Sequence, residues 1–237
     1  MLVKTNAIVL KATKYQEKSL IVKCFTLTDG LKTYFVPTAF SSKKSNQKMA
    51  YFQPMTILEI EANHKNKGTL EYFKEIKTAI PYTTIPTNIY KSTMVLFLSE
   101  MLCNCIQEEE KNEDLFLFLT TSLEWLDSHD RFANFHLLFI LQLTKFFGFY
   151  PDNENSHLDF FDLLQGKFVP SLSEHAISLQ NTNLFKRLLS LPLSNTESIF
   201  SKEERYLILE IIFQYFTLHI NGFKKPISVA IIKQIFD

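Results

Sequence analysis

Glycine is scarce in this chain of 237 residues: Gly30, Gly68, Gly148, Gly166 and Gly222 are the only five, and no two are close. A phosphate-cradling loop or a dinucleotide fingerprint needs clustered glycines, because backbone amides must approach the anion closely. Nucleotide-driven motors, kinases and dinucleotide-dependent redox enzymes are excluded on that ground. Cysteine is sparse too. Cys24, Cys103 and Cys105 form no Cys-x-x-Cys pair and sit among apolar neighbours, the pattern of buried thiols in a reducing compartment. The six histidines, His64, His129, His136, His157, His175 and His219, include no i, i+4 pair, so none offers two metal ligands on one helix face. Asp152, Glu154 and Asp159 make an oxygen-rich stretch without the central glycine and closing glutamate of a calcium loop. No Gly-x-Ser-x-Gly nucleophile elbow occurs, and Glu108–Glu110 is a solvated charge run. The most apolar stretches, Phe135–Tyr150 and Tyr206–Ile220, are interrupted by Lys145 and Glu210 and fall short of the roughly 20 residues of a membrane span. The first apolar run is broken by Lys4 and Lys11 and has no small-residue cleavage site, so no secretory signal is expected. These absences predict a soluble cytoplasmic protein that is not an enzyme, with no metal and no cofactor.

Charge is present in an uneven way. The formal net charge is zero, yet residues 1–80 carry 13 lysines against six acidic residues, a net of about +7, and residues 81–237 carry about −7. A basic half and an acidic half predict different partners, and a small basic domain is an electrostatic footprint for polyanions.

The pattern of apolar residues changes along the chain in the same place. Residues 3–12, 19–28, 31–40 and 52–63 read as strands, with Leu20, Val22 and Cys24 on one face of the second. Asp29–Gly30 is a turn signal, and Pro37 marks an edge or a bulge. Residues 69–79 fit a fifth strand or a helix. Ile80–Thr87, with two prolines and several threonines, reads as a linker. Helical periodicity then covers 88–107, 113–129 and 133–149. Residues 152–181 read as irregular. A capping-box pattern, Ser201 with Glu204, opens a helix to about Ile220, and a short helix is expected within 224–237. The predicted fold is α+β: a five-stranded OB-type β-barrel over residues 1–80, then an all-α domain over 81–237.

The positive functional signal is the polar loop Ser41–Lys48. Lys43, Lys44 and Lys48 supply charge to phosphates, and the short polar residues between them can donate hydrogen bonds to phosphate and sugar. Lys11, Lys14, Lys18, Lys23 and Lys32 add charge on the first strands. Tyr34, Phe35, Phe40, Tyr51 and Phe52 are nearby aromatics, which on an OB-type barrel either stack bases or fill the core. The expected DNA-contacting residues are Lys11, Lys14, Lys32, Tyr34, Lys43, Lys44 and Lys48.

The stretch from Thr5 to Gly30 resembles the opening of RecO proteins. It has an alternating first strand, a Tyr-x-Glu turn at Tyr15 and Glu17, a strand ending in Phe25-Thr26, and the glycine turn at Gly30. The basic loop and Phe52–Glu61 follow at matching spacing. The resemblance is clear over about 80 residues, and the rest agrees in length and character. It implies an OB domain and a helical domain that bind single- and double-stranded DNA and anneal complementary strands. It also implies joint action with RecR in loading recombinase onto DNA coated by single-stranded-DNA-binding protein (SSB), and contact with the acidic SSB tail. Such a tail requires an apolar pocket rimmed by Lys or Arg, for which Arg131, Lys186, Arg187, Lys224 and Lys225 are the candidates. Some family members hold zinc through four cysteines in the helical domain; the corresponding stretch here, 151–171, has none, so no zinc is expected. The loop's charge comes from lysines alone, which grip phosphate less firmly than bidentate arginines. Two rivals stand beside this reading. One is a protein-interaction adaptor whose barrel binds a protein and not DNA; the other is a hydrolase using scattered His and carboxylates.

Overall fold

Four of the five strands are where alternation and turn chemistry put them, and the segment that fitted a strand or a helix is the fifth. In the computed structural model, which describes residues 1–37, 49–65, 70–106 and 110–235, β1 is Leu2–Tyr15, β2 Ser19–Thr26, β3 Gly30–Val36, β4 Ile57–Asn63 and β5 Tyr72–Ile80. All neighbours pair antiparallel in the order β3-β2-β1-β4-β5. The sheet then closes on itself. Phe35 N donates to Glu71 O at 2.8 Å and Glu71 N donates to Thr33 O at 2.9 Å, a parallel bridge from β3 to the residue before β5. An OB-type five-stranded barrel results. Gly30 makes the β2–β3 turn possible: its φ is +63°, a region that costs glycine least. Thr26 Oγ1 braces the turn, accepting from Asp29 N and donating to Gly30 O.

The interior holds Ala7, Val9, Leu20, Val22, Cys24, Tyr34, Leu58, Ile60 and Ala62, the inward set of each strand, with Phe52 from the segment before β4. Ile8, Leu10, Phe25 and Ile57 lie on the opposite face and are equally buried. Helices cover them. α1 (Ile89–Cys105) packs on β1, and Phe116 of α2 (Glu113–Ser128) lies 6.2 Å from Phe25. Two boundaries differ from the sequence reading. β4 starts at Ile57 and not near 52, because Met55 has φ +63°. Within the predicted third strand, β3 ends at Val36 and residues 38–40 lie outside the described ones.

The Pro/Thr-rich stretch after β5 is tied down firmly. The Asp127 carboxylate at the end of α2 accepts the amides of Thr83, Thr84 and Ile85, each at 2.8 Å. Lys91 of α1, wholly buried, donates to Thr84 Oγ1 at 2.6 Å and to Asp127 O at 3.1 Å. Tyr82 reaches back to Met55 O. Residues Met1–Ser128 therefore form one compact unit and His129–Asp237 a second.

The second unit is built on α3 (Phe135–Leu143), which is buried on nearly every side. It ends sooner than helical periodicity predicts. Thr144–Phe147 tightens into a 3-10 turn, and Gly148 stops it at φ +78°. α4 (Leu179–Leu189) is capped by Ser178, and α5 (Lys202–His219) by the Ser201–Glu204 capping box. α6 spans Val229–Ile235. The stretch expected to be irregular contains the hairpin β6 (Phe160–Asp162) and β7 (Lys167–Val169) and leads into α4. Asp162, only 2% exposed, organises this cysteine-free region: its carboxylate accepts the amides of Leu164 and Gln165, the Gln165 side chain and the Ser173 hydroxyl. Gly166 is needed at the tip, where φ is +66° and a Cβ would meet the Tyr215 hydroxyl at 2.7 Å. No helix among the described residues is long and apolar enough to cross a membrane.

Partial burial works against the Asp127 charge, but the amides of Thr83, Ile85 and Thr84 outweigh it and hold the carboxyl down at about 2. A depressed folded value means that this group stabilises the fold fully above the ordinary carboxylate range near 4 and loses that contribution as pH falls toward 2. Asp127→Ala is expected to destabilise the protein by about 2–3 kcal/mol at neutral pH, since three amides lose a charged acceptor. Urea unfolding across pH should show the gap between wild type and variant closing below about pH 4.

Candidate nucleic-acid interface

Register sorts the candidate residues between the two sides of the barrel wall. Val22 faces Tyr34 and Cys24 faces Lys32 across β2–β3, and directly paired residues share a face. Tyr34 and Lys32 thus point inward with the core. Tyr34 has no exposed surface, stacks on Phe73 with ring centroids 4.1 Å apart, and its hydroxyl lies 2.8 Å from His64 Nε2. His64 Nδ1 in turn lies 3.4 Å from Asp29 Oδ1. Burial pushes the Tyr34 phenol up, so it stays protonated. Asp29 is held low: burial opposes its charge, and bonds from Thr28 and His64 prevail. The expectation that Tyr34 meets DNA is therefore corrected. Its ring is spent on the core, because a fully buried tyrosine needs a partner for its hydroxyl and His64 supplies one. Lys32 is corrected with it, at 8% exposure.

The outward residues form a different surface. A bulge between Val9 and Lys11 shifts the β1 register. Beyond it Lys11 pairs with Lys23, which pairs with Thr33; Thr13 occupies the next outward position on β1, paired with Ile21, which faces Phe35. Two like charges directly opposite are unfavourable by themselves, and an anion laid across them reverses that sign. Lys11 and Lys23 also sit near enough to α1 to draw down the Cys103 thiol, although burial dominates and raises it. Lys14 is exposed in the β1–β2 hairpin next to Tyr15, and Lys18 is exposed at its turn. Lys43, Lys44, Lys48 and Phe40 fall within residues 38–48, outside the described residues.

Beside the lysine row is a groove of about 430 Å³, lined by Phe35–Pro37, Tyr51, Phe52 and the β5 residues Tyr72–Ile76. Phe35 meets Tyr15 edge-on at 6.1 Å and Tyr72 edge-on at 5.8 Å. Tyr15 and Tyr72 are 43% and 46% exposed, so neither is a core residue. Lys65 places its ammonium 5.9 Å from the Tyr72 ring centre. Sequence reasoning did not single out Tyr15, Lys65 or Tyr72 for this surface. Tyr15 carried a signal, a tyrosine at a hairpin turn beside lysines; Tyr72 carried none, because its segment read equally as helix or strand. The groove is thus walled by the end of β3, the segment before β4, and β5.

In the second unit the expected tail-binding cations are scattered. Arg131 and Lys224 are exposed. Lys186 donates to Leu158 O at 2.7 Å; Arg187 is bound to Glu204 at 2.6 Å and Lys225 to Glu210 at 2.5 Å. None of the five lines a cleft of about 470 Å³ between α5 and α6. That cleft has an apolar wall of Tyr206, Leu209 and Ile232 and a rim of Lys202, Arg205 and Lys233, with Glu203 as the acidic exception. His136 lines it as well. Burial, with the nearby Arg205 adding, pushes its imidazole down to about 3, so it contributes no charge near neutral pH. Among the described residues no group of three or more His, Cys, Asp or Glu is placed to hold a metal, and the Asp162 donor set is one of amides and a hydroxyl that a cation would not match.

Comparison with known proteins agrees with this architecture. Residues 1–82 match the family described as Recombination protein O N terminal, and residues 86–226 match Recombination protein O C terminal. The DNA repair protein RecO of Flavobacterium johnsoniae is 56% identical over the full length of both chains, and that of Flavobacterium psychrophilum is also 56% identical over the full length of both. The RecO of Porphyromonas gingivalis is 29% identical, again end to end. With both halves matched and the identity sustained through barrel and helices alike, the chain belongs to the RecO family of DNA repair proteins.

Proposed function

We propose that this chain is a non-enzymatic recombination mediator acting at the nucleoid. Residues 1–80 bind single- and double-stranded DNA and promote strand annealing; residues 81–237 carry protein contacts, and of these the helices up to Ser128 brace the barrel. With a RecR-type protein it helps to load recombinase onto SSB-coated DNA. The observation that carries this reading is the outward lysine row at Lys11 and Lys23, beside an open groove, on a segment whose net charge is about +7. No covalent step is required. Lysines that neutralise phosphates on two strands at once lower the repulsion between them, and base pairing does the rest. Lys14 extends this surface, and Lys43, Lys44 and Lys48 belong to the segment that follows Pro37, which lines the groove.

The acidic SSB tail is assigned to the α5–α6 cleft. An apolar wall takes the tail's hydrophobic end and Lys202, Arg205 and Lys233 take its carboxylates, while the neutral His136 does not compete for them. This replaces the scattered candidates, none of which lines that cleft.

Two measurements test these assignments. Binding of fluorescent single-stranded DNA across a salt series should weaken linearly on log–log axes, and Lys43→Ala/Lys44→Ala/Lys48→Ala should reduce the slope by about 2. An unchanged affinity and slope in the triple variant removes that segment from the site, and no DNA binding by the wild type even at low salt favours a protein adaptor. Lys202→Glu/Lys233→Glu should weaken binding of an SSB C-terminal peptide by about tenfold or more while leaving the DNA salt slope intact. Equal peptide affinity in that variant places the tail elsewhere.

A further inference from the structure

Resting on the DNA-binding reading, we infer that Tyr15, Phe35 and Tyr72 form a base-stacking rail that makes the barrel face selective for single strands. Three observations converge. The rings are consecutive, with Phe35 touching both tyrosines edge-on at 6.1 and 5.8 Å, so together they make one continuous aromatic strip. The two outer rings are 43% and 46% exposed, which leaves ring surface open to a ligand. The strip also runs beside cations in register. On β2 and β3 the row through Lys23 and Thr33 is followed two residues along by Ile21 and Phe35, a step of about 7 Å along a strand. Lys65 stands at the other end, over Tyr72.

A strand laid on this face sets its phosphates along the lysine row and turns its bases onto the rings. Only an unpaired strand can do so. In a duplex the bases are stacked on one another and their faces are unavailable, so a double helix gains from the lysines but not from the rings. Any base has a π-face, so the rail selects for strandedness and not for sequence. The inward pair Tyr34 and Phe73 underlies the rail and does not belong to it: Tyr34 is fully buried.

The test uses the full-length protein, an oligo-dT strand and a hairpin duplex. Tyr15→Leu/Tyr72→Leu keeps apolar contact with Phe35 but removes both exposed rings. Single-strand affinity is expected to fall by about tenfold or more, as loss of stacked bases does, with duplex affinity and both salt slopes unchanged. Tyr15→Phe/Tyr72→Phe should retain wild-type single-strand affinity, because stacking needs the ring and not the hydroxyl. Equal losses on both substrates, or full single-strand affinity in the leucine variant with an unaltered circular dichroism spectrum, overturns the rail while leaving DNA binding by the lysines in place. Absence of any DNA binding by the wild type overturns the rail and the underlying reading together.

Discussion

Two hydrogen bonds through Glu71 close the barrel, and the geometry of both faces of its wall depends on them. Phe35 N and Thr33 O hold Glu71 at its carbonyl and its amide respectively, bringing β3 parallel to the start of β5. Without that bridge the sheet would carry two open edges, each a template for association. With it, the alternation of side chains across the wall is set on both strands at once. Inside, Tyr34 meets Phe73 as a stacked pair; outside, Phe35 meets Tyr72 edge-on. One register thus produces both the packed interior and the exposed aromatic strip, and a slip of a single residue would exchange them.

The parts of the fold written in local chemistry could be read from the sequence. The Asp29–Gly30 turn, the inward Leu20–Val22–Cys24 alternation and the Ser201–Glu204 capping box each depend on residues a few positions apart. Other features depend on distant partners and left no local trace. Tyr34 looked like a surface aromatic beside lysines; only the placement of His64, thirty residues on, makes a fully buried phenol tolerable. β5 stayed ambiguous because five of its nine residues are exposed, so no clean period of two survives. The α5–α6 cleft draws Lys202, Arg205 and Lys233 from two helices, and a scan for clustered basic residues cannot bring them together. The lysine pairs that did cluster, at Lys186–Arg187 and Lys224–Lys225, include three cations committed to acidic or carbonyl partners.

Charge is used in two distinct ways. On the barrel, Lys11 faces Lys23 across the strands, an arrangement favourable only when an anion is shared. Elsewhere carboxylates are surrounded by donors: Asp127 near the end of α2 by three amides, and Asp162 at the end of β6 by two backbone amides and a hydroxyl. Both carboxyls are held low against the opposing effect of burial. The acidic half of the chain therefore spends part of its charge internally, as structural acceptors, and the basic half presents lysines outward.

The Asp127 bracket bears on how this protein can be divided. Barrel strands end at Ile80, which invites a cut there. Yet Ile8, Leu10, Phe25 and Ile57, on the outer side of the wall, have almost no exposed surface, and the residues that follow β5 are fastened to the far end of α2. A fragment stopping at Ile80 would leave that apolar surface bare to solvent and lose the carboxylate that organises its last turn. The smallest piece that carries its own covering extends to Ser128, so the barrel is shorter than the portion of the chain that must be inherited, expressed or transplanted with it.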